Sequence, residues 1–138
     1  MYPVLEQLIE KYPNQVNLVL KHYPLPMHKA AKPAAYAALA AEKQGKYKEI
    51  TALFFKNYRK LNNDSIKQYA QQVGLDMAAY EKDIKSPAIR KMVTQDTRDA
   101  RKFRVRGVPA IFINGKAVRS RSVEGFERII KKELKKTR

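Results

Sequence analysis

The stretch that decides the fold is Val105-Arg106-Gly107-Val108-Pro109-Ala110-Ile111-Phe112-Ile113-Asn114-Gly115-Lys116. Ala110 to Ile113 is a short apolar run bounded by turn residues, and it reads as a strand. Asn114-Gly115 is the strongest two-residue hairpin signal, because both central turn positions take a positive φ that these residues tolerate best. Lys116 to Arg119 is then the return strand, and Gly107-Val108-Pro109 is the entry to the first. Beyond the hairpin, Ser122 caps a terminal helix whose Phe126, Ile129, Ile130 and Leu134 share one side.

Working back toward the N-terminus, Ser86-Pro87 opens a long helix with Ile89, Val93, Ala100 and Phe103 directed inward. Before it, Asp76 caps a short helix to Ile84, and Asn63 or Asp64 caps one whose Ile66, Tyr69, Ala70 and Val73 hold i, i+3, i+4, i+7 spacing. Lys46 to Lys60 reads as helix, as does the alanine-rich Lys29 to Gln44, which Gly45 stops. Upstream of Pro24 and Pro26, Val16 to Tyr23 reads as a buried strand, and Tyr2 to Tyr12 as a helix with Pro3 in its first turn. The order is α-β, a block of helices, then β-β-α, which predicts one α/β domain over residues 1–138 with a helical insertion at about 29–104.

The composition bounds the chemistry. With no cysteine, this chain offers no disulfide, zinc–thiolate site, thiol nucleophile or redox dithiol. The 29 basic residues against 13 acidic give +16, and from Arg90 onward 16 basic residues stand against 5 acidic. The charges are scattered, as on a solvated surface, yet the field attracts acidic proteins, anionic lipid and nucleic acid. Met1 to Glu10 has no basic leader before an apolar stretch, and the richest apolar run, Pro33 to Ala41, is too short to span a bilayer. The chain as given therefore reads as soluble and without a secretion signal.

The Val105–Lys116 segment resembles the approach to and passage through the third strand of thioredoxin-fold proteins, in which the proline is cis. The helical insertion, the Pro24-Leu25-Pro26 bend and the alanine-rich helix after it resemble, within that superfamily, the DsbA-like thiol:disulfide oxidoreductases. The likeness runs over essentially the whole chain. It implies a cis Val108–Pro109 bond and a bacterial, exported (periplasmic) parent that oxidises or isomerises protein disulfides. It also implies a substrate-binding role for Gly107, Val108 and Pro109: the backbone before the proline pairs with a cysteine-containing protein or peptide as an added strand. In that family a Cys-x-x-Cys pair lies just upstream of a Tyr-Pro like Tyr2-Pro3, so here both cysteines and the interior strand before them are missing. No catalytic residue, cofactor or metal is assigned.

That strand would lie between those read at Val16–Leu20 and Ala110–Asn114, and without it two apolar edges stand unpaired. Three resolutions stay open: a shortened form of a longer oxidoreductase, closure of the two strands on each other, or a segment from another copy in a homo-oligomer. The functional alternative to a truncated or redox-dead oxidoreductase is a non-enzymatic binding module, using its basic surface or open edges to hold an acidic protein, nucleic acid or itself.

Other residues invite plainer readings. His22 and His28 have no metal-ligand spacing around them, and Asp96 and Asp99 are expected in surface ion pairs with Arg98, Arg101 and Lys102. Tyr58, at helical spacing from Phe54, reads as a core-edge aromatic, although its basic neighbours also suit base stacking. Asn63-Asp64-Ser65 matches a glycosylation acceptor, but helix capping explains the same residues.

Overall fold

The computed structural model describes residues 1–137, in two compact units: Met1–Leu20 with the stretch from Val105 onward, and Lys21–Arg104. The first opens with α1 (Tyr2–Lys11), and the second holds α2 (Ala31–Lys43), α3 (Tyr47–Lys56), α4 (Asn63–Gln72), α5 (Met77–Ile84) and α6 (Pro87–Lys102). The first unit then resumes with β1 (Phe112–Ile113), β2 (Lys116–Ala117) and α7 (Val123–Lys136).

The helical unit is built around α2, against which α3, α4, α5 and α6 all pack. Ala35, Ala37, Ala38, Ala40 and Ala41 are buried with Leu39, so almost the whole circumference of α2 is covered. Short side chains permit this, because the distance between helix axes is set by what stands at the contact. Ile50, Phe54, Ile66, Ala70, Tyr80, Ile89 and Val93 complete the core from the surrounding helices. Burial raises the Tyr80 hydroxyl pKa to about 12, so it stays protonated at neutral pH.

Local signals account for the helix ends. Asn62, one residue before the predicted caps, starts α4: its side chain accepts from the Ser65 N–H at 2.8 Å, and the Ser65 hydroxyl accepts from the Asn62 N–H at 3.0 Å. The Asp76 carboxylate accepts from the Ala79 N–H at 3.1 Å to start α5, whereas Ser86 makes no side-chain cap to α6. Asp96 and Asp99 bond neither with Arg98 nor with Arg101 or Lys102. Asp99 takes the Lys21 ammonium at 2.7 Å, and Asp96 accepts the His22 backbone N–H at 2.9 Å, fixing the start of this unit's chain to α6. His22 meets the Tyr47 ring edge-on at 6.1 Å, and burial lowers its pKa, which keeps the imidazole neutral at pH 7.

In the other unit α1 and α7 lie together, tied by a Lys11–Glu127 ion pair and by the Tyr12 hydroxyl donating to Glu127 at 3.4 Å. Leu8, Val118, Phe126 and Ile130 form its buried core. The hairpin is antiparallel, with Phe112 opposite Ala117 and Ile113 opposite Lys116. Asn114 at φ 48° and Gly115 at φ 78° make the primed turn that the dipeptide signals. Val118 N–H to Ile111 O, at 2.8 Å, extends the ladder by one bond. Among the described residues this two-stranded sheet is the only one. Val16 to Tyr23, read as a strand, enters no ladder, so the two predicted strands have not closed on each other.

Of the five glycines, Gly125 alone has atoms within 4 Å of where a Cβ would stand. A Cβ there would stand 1.8 Å from Ser120 Oγ and 2.7 Å from Ser120 Cβ. Alanine ordinarily improves a helix interior by about 1 kcal/mol over glycine. At this position the overlap outweighs that gain, and Gly125→Ala is expected to cost about 1–3 kcal/mol in urea titration. Adding Ser120→Gly should recover most of the loss.

Candidate functional site

The segment that the resemblance marks for binding is an exposed loop. After α6, Arg104 adopts φ 57°, and the chain runs through Val105 to the Val108–Pro109 bond, which is cis. Gly107, Val108 and Pro109 are all exposed, Val108 by 54%, an unusual display for a valine at a strand entry. A Cβ at Gly107 would meet nothing within 4 Å, so no neighbouring atom in this chain demands glycine there.

The loop is nevertheless held. The Arg121 guanidinium donates through Nη1 to Val118 O at 2.8 Å and Ser120 O at 2.9 Å, and through Nη2 to Pro109 O at 3.3 Å. A rigid planar fork suits this task, since it reaches several carbonyls at once where an ammonium acts as a single point. Sequence reasoning did not single out Arg121; in Arg119-Ser120-Arg121-Ser122 it looks like one more surface charge.

A second feature of the same unit is a groove of about 350 Å³. It is lined by residues 15–18 and 111–114, and by the apolar side chains of Leu5, Leu8 and Ile9 of α1 and of Phe126, Ile130 and Leu134 of α7. Glu133 stands among its lining residues. Its carboxylate takes Lys136 at 2.9 Å, Asn114 at 3.3 Å and Lys116 at 3.2 Å, and these hydrogen bonds hold its pKa at about 2, below the usual 4.5. A carboxylate depressed by folding stabilises the native state fully above about pH 4.5, and the contribution is lost as pH falls toward 2. The stability gap between this protein and a Glu133→Gln variant should therefore shrink across that window in urea titrations. A gap that is flat with pH would remove the ion-pair account.

No sulfur nucleophile stands at either feature, because the sequence has none. Among the described residues no group of three or more His, Asp or Glu side chains is arranged to hold a metal ion, and no helix is long and apolar enough to cross a membrane.

Residues 1–132 match the sequence model of the thioredoxin family, and the chain belongs to that family. Its fold is also that of solved thiol-disulfide proteins. A thioredoxin-like oxidoreductase from Silicibacter pomeroyi superimposes with a TM-score of 0.79 at 24% identity, over 97% of this chain and 77% of that one. The thiol-disulfide exchange protein alpha-DsbA2 of Wolbachia pipientis gives 0.80 at 20% identity, over 94% and 71%. A Proteus DsbA solved with the non-covalently bound peptide PWATCDS gives 0.78 at 19% identity, over 96% and 78%. Among curated proteins, the Na(+)/H(+) antiporter NhaA 1 of Mycolicibacterium vanbaalenii is 32% identical over 100 residues, which are 70% of this chain and 16% of the antiporter. NhaA 3 of Salinispora tropica is 30% identical over 115 residues, 83% of this chain and 18% of the antiporter. The chain thus spans about a sixth of the length of these curated relatives.

Proposed function

We propose that this chain is a redox-inactive, peptide-holding domain of the DsbA-like kind, which takes an extended polypeptide segment on the backbone of Val108. The carrying observation is the exposed Val108, with open space over Gly107 and with the Pro109 carbonyl tied back by Arg121. Backbone groups presented on a restrained, uncovered loop suit strand addition, in which main-chain hydrogen bonds supply affinity and little side-chain identity is needed. The non-covalent peptide on the Proteus DsbA supports a peptide as the ligand class. The antiporter matches support a module that works beside other domains, and the DsbA likeness supports an exported parent. Any oxidation or isomerisation of disulfides by that parent requires a thiol pair that this chain does not carry.

Binding of fluorescein-labelled PWATCDS, followed by anisotropy, tests the reading. Replacing Val108 by proline removes the backbone donor, and the loss of one such bond weakens binding about tenfold. Arg121→Ala should weaken it less, and a peptide with serine in place of cysteine should bind equally well. Absence of binding, or indifference to Val108→Pro, would overturn the proposal.

A further inference from the structure

We infer that the end of α3, from Phe55 to Lys60, is a docking tip for an anionic bilayer surface. The Phe55 and Tyr58 rings enter the headgroup layer, and Lys56, Arg59 and Lys60 meet the lipid phosphates. The tip belongs wholly to the helical unit and does not rest on the role given to the Val108 loop. The first observation is how the rings come to be outside. Phe54 is buried against Tyr69, with ring centroids 6.3 Å apart. Phe55, one residue and about 100° further round the helix, therefore turns to solvent and is 65% exposed. Helix α3 ends at Lys56, and Tyr58, 63% exposed, opens the 3₁₀ turn that follows. This display is anchored: Asn57 Nδ2 donates to Leu53 O at 2.8 Å, Arg59 Nε donates to the Tyr58 hydroxyl at 3.0 Å, and Leu61 packs against the core just beyond.

The second observation is shape. Phe55, Lys56, Tyr58, Arg59 and Lys60 are all exposed, with Asn57 half-buried among them, so the segment is a knob. Single-stranded nucleic acid is held along a charged groove, and an extended peptide needs a groove or a sheet edge. A knob instead fits a surface that yields around it. One face of the Tyr58 ring already carries the Arg59 guanidinium, 5.5 Å from the ring centroid, which leaves less of it for stacking on a base.

The third observation is chemistry. Among the described residues Lys56, Arg59 and Lys60 form no ion pair, and no acidic residue occurs between Glu49 and Asp64. A phenyl ring without a polar atom gains by leaving water, and a phenol suits a boundary where one end is apolar and the other wet. Cations beside them are drawn to anionic headgroups. Apolar ring, amphipathic ring and cation, all within six residues, match the layers of a bilayer interface.

The chain has no tryptophan, so Phe55→Trp makes the tip its own fluorescent reporter. Phe103→Trp puts the same reporter at another exposed aromatic position of this unit. With vesicles of phosphatidylglycerol and phosphatidylcholine, the Phe55→Trp emission should shift to the blue and be quenched by lipids brominated on their acyl chains, whereas Phe103→Trp should show neither. Co-sedimentation with the same vesicles should weaken about tenfold when Phe55 and Tyr58 are both replaced by serine, although the net charge is unchanged; that is the loss expected for withdrawing one aromatic side chain from an apolar medium. Replacing Lys56 and Lys60 by glutamine should also weaken it, and pure phosphatidylcholine should bind least. Urea titration checks that each variant folds as the parent does. The inference is overturned by absence of vesicle binding, by sedimentation indifferent to the Phe55 and Tyr58 pair, or by equal shift and quenching at both reporter positions. It is equally overturned if Phe55→Trp responds to oligo-deoxythymidine and not to vesicles.

Discussion

Replacing Phe126 by alanine is expected to lower the stability of the fold by about 3–5 kcal/mol, the usual cost of emptying an aromatic core position. Phe126 is 1% exposed, and among the described residues Leu8, Val118 and Ile130 share the buried centre of its unit. Partly buried apolar residues such as Leu5, Ile111, Ile113 and Ile129 pack against this core, and how far they relax into the space sets where in that range the cost falls. Total stabilities of domains run at about 5–15 kcal/mol, so the change removes a large share. Urea titration gives the magnitude, and amide exchange locates it: protection should fall first in α1 and α7, whose apolar faces meet around Phe126. A loss below about 1 kcal/mol would show that the centre of this unit lies elsewhere.

The second large effect is an absence of turnover. Insulin reduction and oxidative refolding both pass through attack of a thiolate on a disulfide sulfur. A chain without cysteine has no attacking atom and no leaving group, whatever its fold retains. The rate with purified protein should equal the uncatalysed rate at every concentration tested. Acceleration by protein shown to be free of contaminating thiols would contradict the chemistry directly.

The helices were legible because their apolar residues recur at helical spacing and turn residues punctuate them. The hairpin was legible because one dipeptide, Asn114-Gly115, suits a turn that few residues adopt. The reading failed where the answer depends on a neighbour. Val16 to Tyr23 has the composition of a strand, but a strand is defined by its ladder, and this segment has none. Tyr58 was placed at the core edge by its spacing from Phe54, yet α3 ends at Lys56 and Tyr58 opens a short 3₁₀ turn. The change of pitch swings the ring outward, where it is 63% exposed and lies under the Arg59 guanidinium at 5.5 Å. Phe103 was expected inward on α6, but the helix stops at Lys102 and the ring is 59% exposed.

The candidate site divides in the same way. Gly107, Val108 and Pro109 were marked by resemblance to a family pattern, not by any physical signal that the tripeptide carries alone. Arg121 has no sequence signature, because a guanidinium that bonds the carbonyls of Pro109, Val118 and Ser120 depends on how a loop folds back. The groove is also invisible in one dimension, since its lining comes from segments almost a hundred residues apart.

The central claim is that the Val108 loop holds a peptide without sulfur chemistry, and amide chemical-shift mapping tests it most directly. Titrating isotopically labelled protein with PWATCDS, and then with its serine counterpart, should move the amide signals of Gly107, Val108 and Ala110 along the same path to the same end point. Loop signals that stay fixed at saturating peptide, or shifts scattered over the basic surface with none at the loop, would contradict the account.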